Sequence, residues 1–79
     1  MTTRLALYIT DDCALCDHAL ELLAAARAPD FDSVFIDGDA DLERRYGERV
    51  PVLRDRADGR EIGWPFDPSS LAEFLAPNR

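Results

Sequence analysis

The chain contains no lysine. All nine of its cations are Arg, set against sixteen Asp and Glu, and the net charge is −7. These arginines run from Arg4 to Arg79 without gathering into a basic stripe, so a phosphate backbone would meet repulsion and nucleic acid is not an expected partner. Long hydrophobic runs are also missing. Leu5-Ala6-Leu7-Tyr8-Ile9 stops at Asp11-Asp12, too short for a secretory leader, and nothing later approaches a membrane span. No linker, low-complexity tract or internal repeat is visible. The expected compartment is the cytosol, with no membrane partner. Cysteine is scarce, with two in 79 residues, and both lie within one turn, Cys13-Ala14-Leu15-Cys16. A disulfide there would close so small a loop that it would constrain the unfolded chain little, so the pair is badly placed as a structural staple. In a reducing compartment, C-x-x-C points to redox chemistry or metal binding instead.

What is present is an ordinary globular balance, 47% hydrophobic and 32% charged. At this length one domain over residues 1–79 is expected, burying roughly 60–65% of its unfolded surface. Leu5 to Ile9 reads as a strand covered on both faces. Residues 14 to 27 read as a helix with Leu15, Cys16, Ala19, Leu20, Leu22, Leu23 and Ala26 on one broad face, ended by Pro29. Phe31 to Ile36 reads as a second strand and Asp41 to Tyr46 as a short helix, with Gly47 in the stop position. Val50 to Leu53 and Arg60 to Trp64 form a hairpin around Ala57-Asp58-Gly59. Asp67-Pro68 opens a last helix that turns Leu71, Phe74 and Leu75 inward before Pro77. The order β-α-β-α-β-β-α predicts an α/β fold, with a mixed four-stranded sheet flanked by helices.

C-x-x-C where the first strand turns into the first helix, together with an X-Pro pair, Val50-Pro51, opening the third strand, resembles the thioredoxin superfamily. At this length the chain resembles a glutaredoxin-like protein. The resemblance implies a thioredoxin-like fold and a thiol–disulfide oxidoreductase in cell redox homeostasis, acting on protein or small-molecule disulfides and most simply as a monomer. It also implies a cis Pro51 facing the cysteines, where the residues alone would favour trans. Val50 would then offer its backbone to an extended substrate.

Catalysis falls to Cys13 and Cys16. A residue at a helix start meets free N–H groups and the positive end of the helix dipole, which suits Cys13 as the attacking thiolate; Cys16, one turn in on the apolar face, suits the resolving thiol. Arg49, Val50, Pro51 and Trp64 are the candidate substrate-binding residues. Trp64 and Phe66 would wall the site, and Arg49 would meet a substrate carboxylate. Asp11, Asp12 and Asp17 oppose a thiolate, and Asp11 or Asp12 is expected to cap the helix.

No cofactor is called for. Glutathione is raised by the resemblance, but acids follow Thr10 where glutathione users carry a basic residue before the motif. Gly63-Trp64-Pro65-Phe66-Asp67 likewise replaces their Gly-Gly and acidic pair. Two readings of other classes stand beside the enzyme. One is a binding module of the same fold without turnover. The other is a metal or iron–sulfur site shared between chains, because zinc wants four ligands and this chain offers two Cys and His18. On one helix His18 lies about 200° around from Cys16 and about 140° from Cys13, so the three do not converge. Asp37-x-Asp39-x-Asp41 with Glu48 imitates a calcium loop, but Leu42 sits where such a loop needs Gly. These acids are expected to cap a helix and solvate a loop.

Overall fold

Leu5, Ala6, Leu7 and Ile9 are all buried, which is the burial expected of a strand with neighbours on both sides and helices on both faces. In the computed structural model, which describes residues 3–76, this segment is β1 (Leu5–Ile9). It is followed by α1 (Ala14–Ala25), β2 (Phe31–Phe35), α2 (Ala40–Tyr46), β3 (Val52–Asp55), β4 (Glu61–Gly63) and α3 (Pro68–Leu75). The sheet order is β2-β1-β3-β4. β1 pairs parallel with β2, from Leu5 opposite Phe31 to Ile9 opposite Phe35, and antiparallel with β3, from Leu5 opposite Asp55 to Tyr8 opposite Val52. β3 and β4 form the antiparallel hairpin. The mixed four-stranded sheet and its three helices are thus as the element order predicted.

Alternation along β1 sorts the core into two layers. Leu5, Leu7, Ile9 and Leu53 face Cys16, Ala19 and Leu23 of α1, with Phe66 and Leu71, so α1 and α3 cover one face. On the other face Tyr8 joins Ile36, Leu42, Tyr46 and Val52 beneath α2, and the Tyr8 and Tyr46 rings stack at 4.3 Å. Burying each Leu contributes about 1.5–3 kcal/mol.

Several boundaries differ from expectation. α1 stops at Ala25, and Ala26 only caps it. Arg27 takes a left-handed backbone (φ 53°) and the Ala28 N–H returns to the Leu23 carbonyl at 3.0 Å. The helix therefore ends by its own hydrogen bonding before Pro29 can act. Leu15 is not on the inward face: it is 48% exposed, and Ala26 is exposed too. Gly47 does close α2, but with right-handed backbone (φ −51°), and its need for Gly is steric, since a Cβ there would strike the Glu43 carbonyl. Asp39 caps α2 by accepting from the Leu42 N–H at 3.1 Å. Asp67 caps α3 by accepting from the Ser70 N–H at 2.7 Å, with Pro68 in the first turn. Pro77, expected to stop α3, lies outside the described residues. The Val50–Pro51 and Trp64–Pro65 peptide bonds are cis. Among the described residues no helix is long and apolar enough to cross a membrane.

Candidate redox site

The cysteines sit where the carboxyl end of β1 hands over to α1. Cys13 is the N-cap of that helix, with extended backbone (φ −118°, ψ 101°). Its Sγ accepts a hydrogen bond from the Cys16 N–H at 3.1 Å. The expected cap, Asp11 or Asp12, is thereby corrected. Asp12 has a left-handed backbone (φ 53°) rather than the extended one a cap needs, and the Asp11 backbone N–H donates to Asp37. Cys13 is half-buried, whereas Cys16 lies in the α1 core layer with 3% of its surface exposed. Their Cα atoms are 5.2 Å apart and the two sulfurs are at disulfide distance.

The sheet brings the other candidates to this end. β1 and β3 run antiparallel with Tyr8 opposite Val52, so Val50 and Pro51, just before β3, arrive beside the end of β1. Pro51 is buried and Val50 packs against both core layers. On the far side, the Trp64 N–H donates to the Pro51 carbonyl at 3.1 Å. The Trp64 ring meets Phe66 edge to face at 5.1 Å and His18 of α1 edge-on at 6.4 Å. Trp64 and Cys13 both pack on the core that holds Cys16. Cys13, Cys16, Val50 and Trp64 therefore meet in one layer, and Pro51 is joined to it by the bond to Trp64.

Arg49 is placed differently. Its guanidinium reaches Glu61 at 3.3 Å and lies 5.6 Å over the Tyr46 ring. Glu61 also accepts from the Tyr46 hydroxyl at 2.6 Å and from Arg54 at 2.8 Å. Burial works to raise the Glu61 carboxyl, but the bonds from Tyr46, Arg54 and Arg49 hold it below the usual glutamate range. Burial, and then Glu61, push the Tyr46 phenol up. Among the described residues no three His, Cys, Asp or Glu side chains gather in a way that could hold a metal ion.

Two residues weighed in the sequence only for metal binding, His18 and Asp37, take other places here. His18 is the neighbour of Trp64, a contact set by packing between α1 and the segment after β4. Asp37 accepts from the Thr10 hydroxyl at 2.5 Å and from the Asp11 N–H at 3.1 Å. The signal for it lay in the parallel pairing of β1 and β2, which sets the residues after Phe35 beside those after Ile9.

The sequence pattern of the glutaredoxin-like domain family (DUF836) matches residues 4–76. Among solved structures, the chain is similar to target protein XcR50 from X. campestris. Its X-ray structure shares 61% identity over 92% of this chain and 99% of that one, with a TM-score of 0.86. The solution structure of XcR50 gives 58%, 98%, 100% and 0.85 for the same quantities. Protein Ne2328 from Nitrosomonas europaea is similar at 25% identity, covering 96% of this chain and 94% of that one, with a TM-score of 0.77. No curated protein matches the chain.

Proposed function

The chain belongs to the glutaredoxin-like domain family, and from that premise we propose that it is a thiol–disulfide oxidoreductase working through Cys13 and Cys16. The observation that carries this reading is the asymmetry of the pair. Cys13 is accessible, caps α1 and accepts the Cys16 N–H, while Cys16 is 3% exposed. A sulfur at a helix start that already accepts a backbone N–H is favoured as a thiolate, which makes Cys13 the attacker.

In the reducing direction the Cys13 thiolate attacks one sulfur of a substrate disulfide. A mixed disulfide forms and the other substrate sulfur leaves as a thiolate, taking up a proton from water. Cys16 then loses its proton and attacks Cys13. The Cys13–Cys16 disulfide closes and the second substrate thiolate departs, so that two electrons have passed from the pair to the substrate. A low-molecular-weight or protein thiol must return them, and a reducing compartment such as the cytosol supplies such thiols.

Val50 and Pro51 form the edge on which an extended disulfide-bearing segment docks, and Trp64 is its apolar wall. Arg49, engaged by Glu61, would have to turn away from that carboxylate to meet a substrate carboxylate. With acids rather than a base next to Cys13, the favoured substrates are disulfides of proteins or small molecules other than glutathione.

Redox titration followed by mass spectrometry tests the proposal. Mild oxidation is expected to remove two hydrogens from the monomer. Cys13→Ser should abolish disulfide reduction, and Cys16→Ser should accumulate the mixed disulfide. Thiols that stay free, or that oxidise only between chains, would refute it.

A further inference from the structure

The three residues that link β1 to the cysteines, Thr10-Asp11-Asp12, are polar and at least partly exposed, so apolar packing does not hold them. Yet the chain must reverse sharply here: Asp12 takes its left-handed turn before Cys13 returns to extended backbone as the cap of α1. The loop is tied down from the end of the neighbouring strand. Both oxygens of Asp37 are used, one on the Thr10 hydroxyl at 2.5 Å and one on the Asp11 N–H at 3.1 Å. Strand register delivers Asp37 to this place, since Ile9 pairs with Phe35 and the Ile36 N–H donates to the Ile9 carbonyl at 2.9 Å.

We propose that Asp37 is a positioning residue for Cys13: by pinning Thr10 and Asp11 it fixes the turn at Asp12 and so keeps the Cys13 sulfur on the first turn of α1. The inference rests on the assignment of Cys13 as the attacking thiol. Geometry and charge make opposite demands here. As one more carboxylate beside Asp11, Asp12 and Asp17, Asp37 would only disfavour a thiolate, and removing it would speed Cys13. As a pin it does the reverse. With the loop released, Cys13 spends time off the cap, loses the Cys16 N–H and reacts more slowly.

The test is the iodoacetamide rate at Cys13 in the reduced full chain, followed by peptide mapping between about pH 5 and pH 9, with the unfolded protein as the reference for intrinsic reactivity. Asp37→Ala is expected to slow Cys13 about fivefold at pH 7, as befits losing one to two hydrogen bonds, and to move the midpoint of the pH curve upward. Asp37→Asn keeps an oxygen for the Asp11 N–H and an amide that can donate to the Thr10 oxygen, so it should restore most of the rate. Thr10→Val removes a single bond and should fall between them; it carries the test alone if Asp37→Ala does not fold. Wild-type or faster rates in Asp37→Ala and Thr10→Val would overturn the positioning role. If the wild type alkylates Cys13 no faster than Cys16, the redox assignment itself falls. If it shows the preference and the variants match it, only the role of Asp37 falls.

Discussion

Cys13 is surrounded by acids that neither cap its helix nor touch its sulfur through any hydrogen bond described above, and this makes their effect separable. Asp12 is exposed and left-handed. Asn tolerates that backbone as well as Asp does, so Asp12→Asn removes a charge without disturbing the turn. The pH midpoint for alkylation of Cys13 is expected to fall by about half a unit, the scale of one charge several ångströms away in a watery setting. A shift in the other direction would mean that Asp12 assists the thiolate. The cysteine pair, and which of its two sulfurs is the more buried, were legible from the spacing and its place at a helix start, because one turn of helix sets Cys16 on the apolar face. The cap was not legible. Asp11, Asp12 and Cys13 can each accept an N–H, and only the sign of φ at Asp12, a tertiary outcome, chooses among them. Asp37 was hidden for a related reason, since its partners lie 26 and 27 residues away and are joined only once β1 and β2 are in register.

At the scale of elements, α1 buries Cys16, Ala19 and Leu23 against the sheet. Leu23 is 1% exposed, and Leu23→Ala is expected to cost about 3 kcal/mol in urea unfolding. Loosening this face should also make Cys16 more accessible to alkylation. Trp64 contacts both α1, through His18, and the Pro51 carbonyl. Trp64→Ala should therefore raise KM for a protein disulfide severalfold while leaving the rate of iodoacetamide on Cys13 within about twofold. A fall in kcat alone would show that Trp64 is not a docking wall. All seven elements were legible, because apolar runs, helical periodicity and turn or cap residues each marked one of them. Periodicity overextended α1 because Ala26 and Arg27 are good helix formers. The end is set instead by the left-handed turn at Arg27, a residue type that seldom takes it. It also drew Leu15 inward on period alone. In the same turn Cys16 takes the buried position and Leu15, its neighbour, stays in solvent.

Across the whole molecule, the surplus of acids is met by arginines fixed in local networks. Asp55, at the end of the sheet away from the cysteines, is 2% exposed. It accepts from Arg4 at 2.8 and 2.9 Å and from the Ala57 N–H at 2.9 Å, with Arg60 3.6 Å away. The Arg4 hydrogen bonds hold its carboxyl below the usual aspartate range despite the burial. A carboxyl lowered in the folded state contributes stability above its unfolded value, near pH 4, and that stability is lost as pH falls through the folded value. Acid unfolding is therefore expected to steepen below about pH 4. Asp55→Asn should flatten this dependence and cost about 2 kcal/mol at pH 7, with Arg4 left half-exposed rather than stranded. An unchanged acid limb would place the sensitivity elsewhere. Charge balance alone carried no hint of this, because pairing Asp55 with Arg4 depends on β1 lying antiparallel to β3. The two ends of α1, about 18 Å apart over its twelve residues, carry unrelated tasks: the sulfur chemistry occupies one pole, and an unfavourable left-handed arginine occupies the other. Arg27→Gly would relieve that conformation and add roughly 0.5–1 kcal/mol without approaching a thiol, so selection or engineering can adjust the robustness of this molecule and its reactivity as independent dials on one helix.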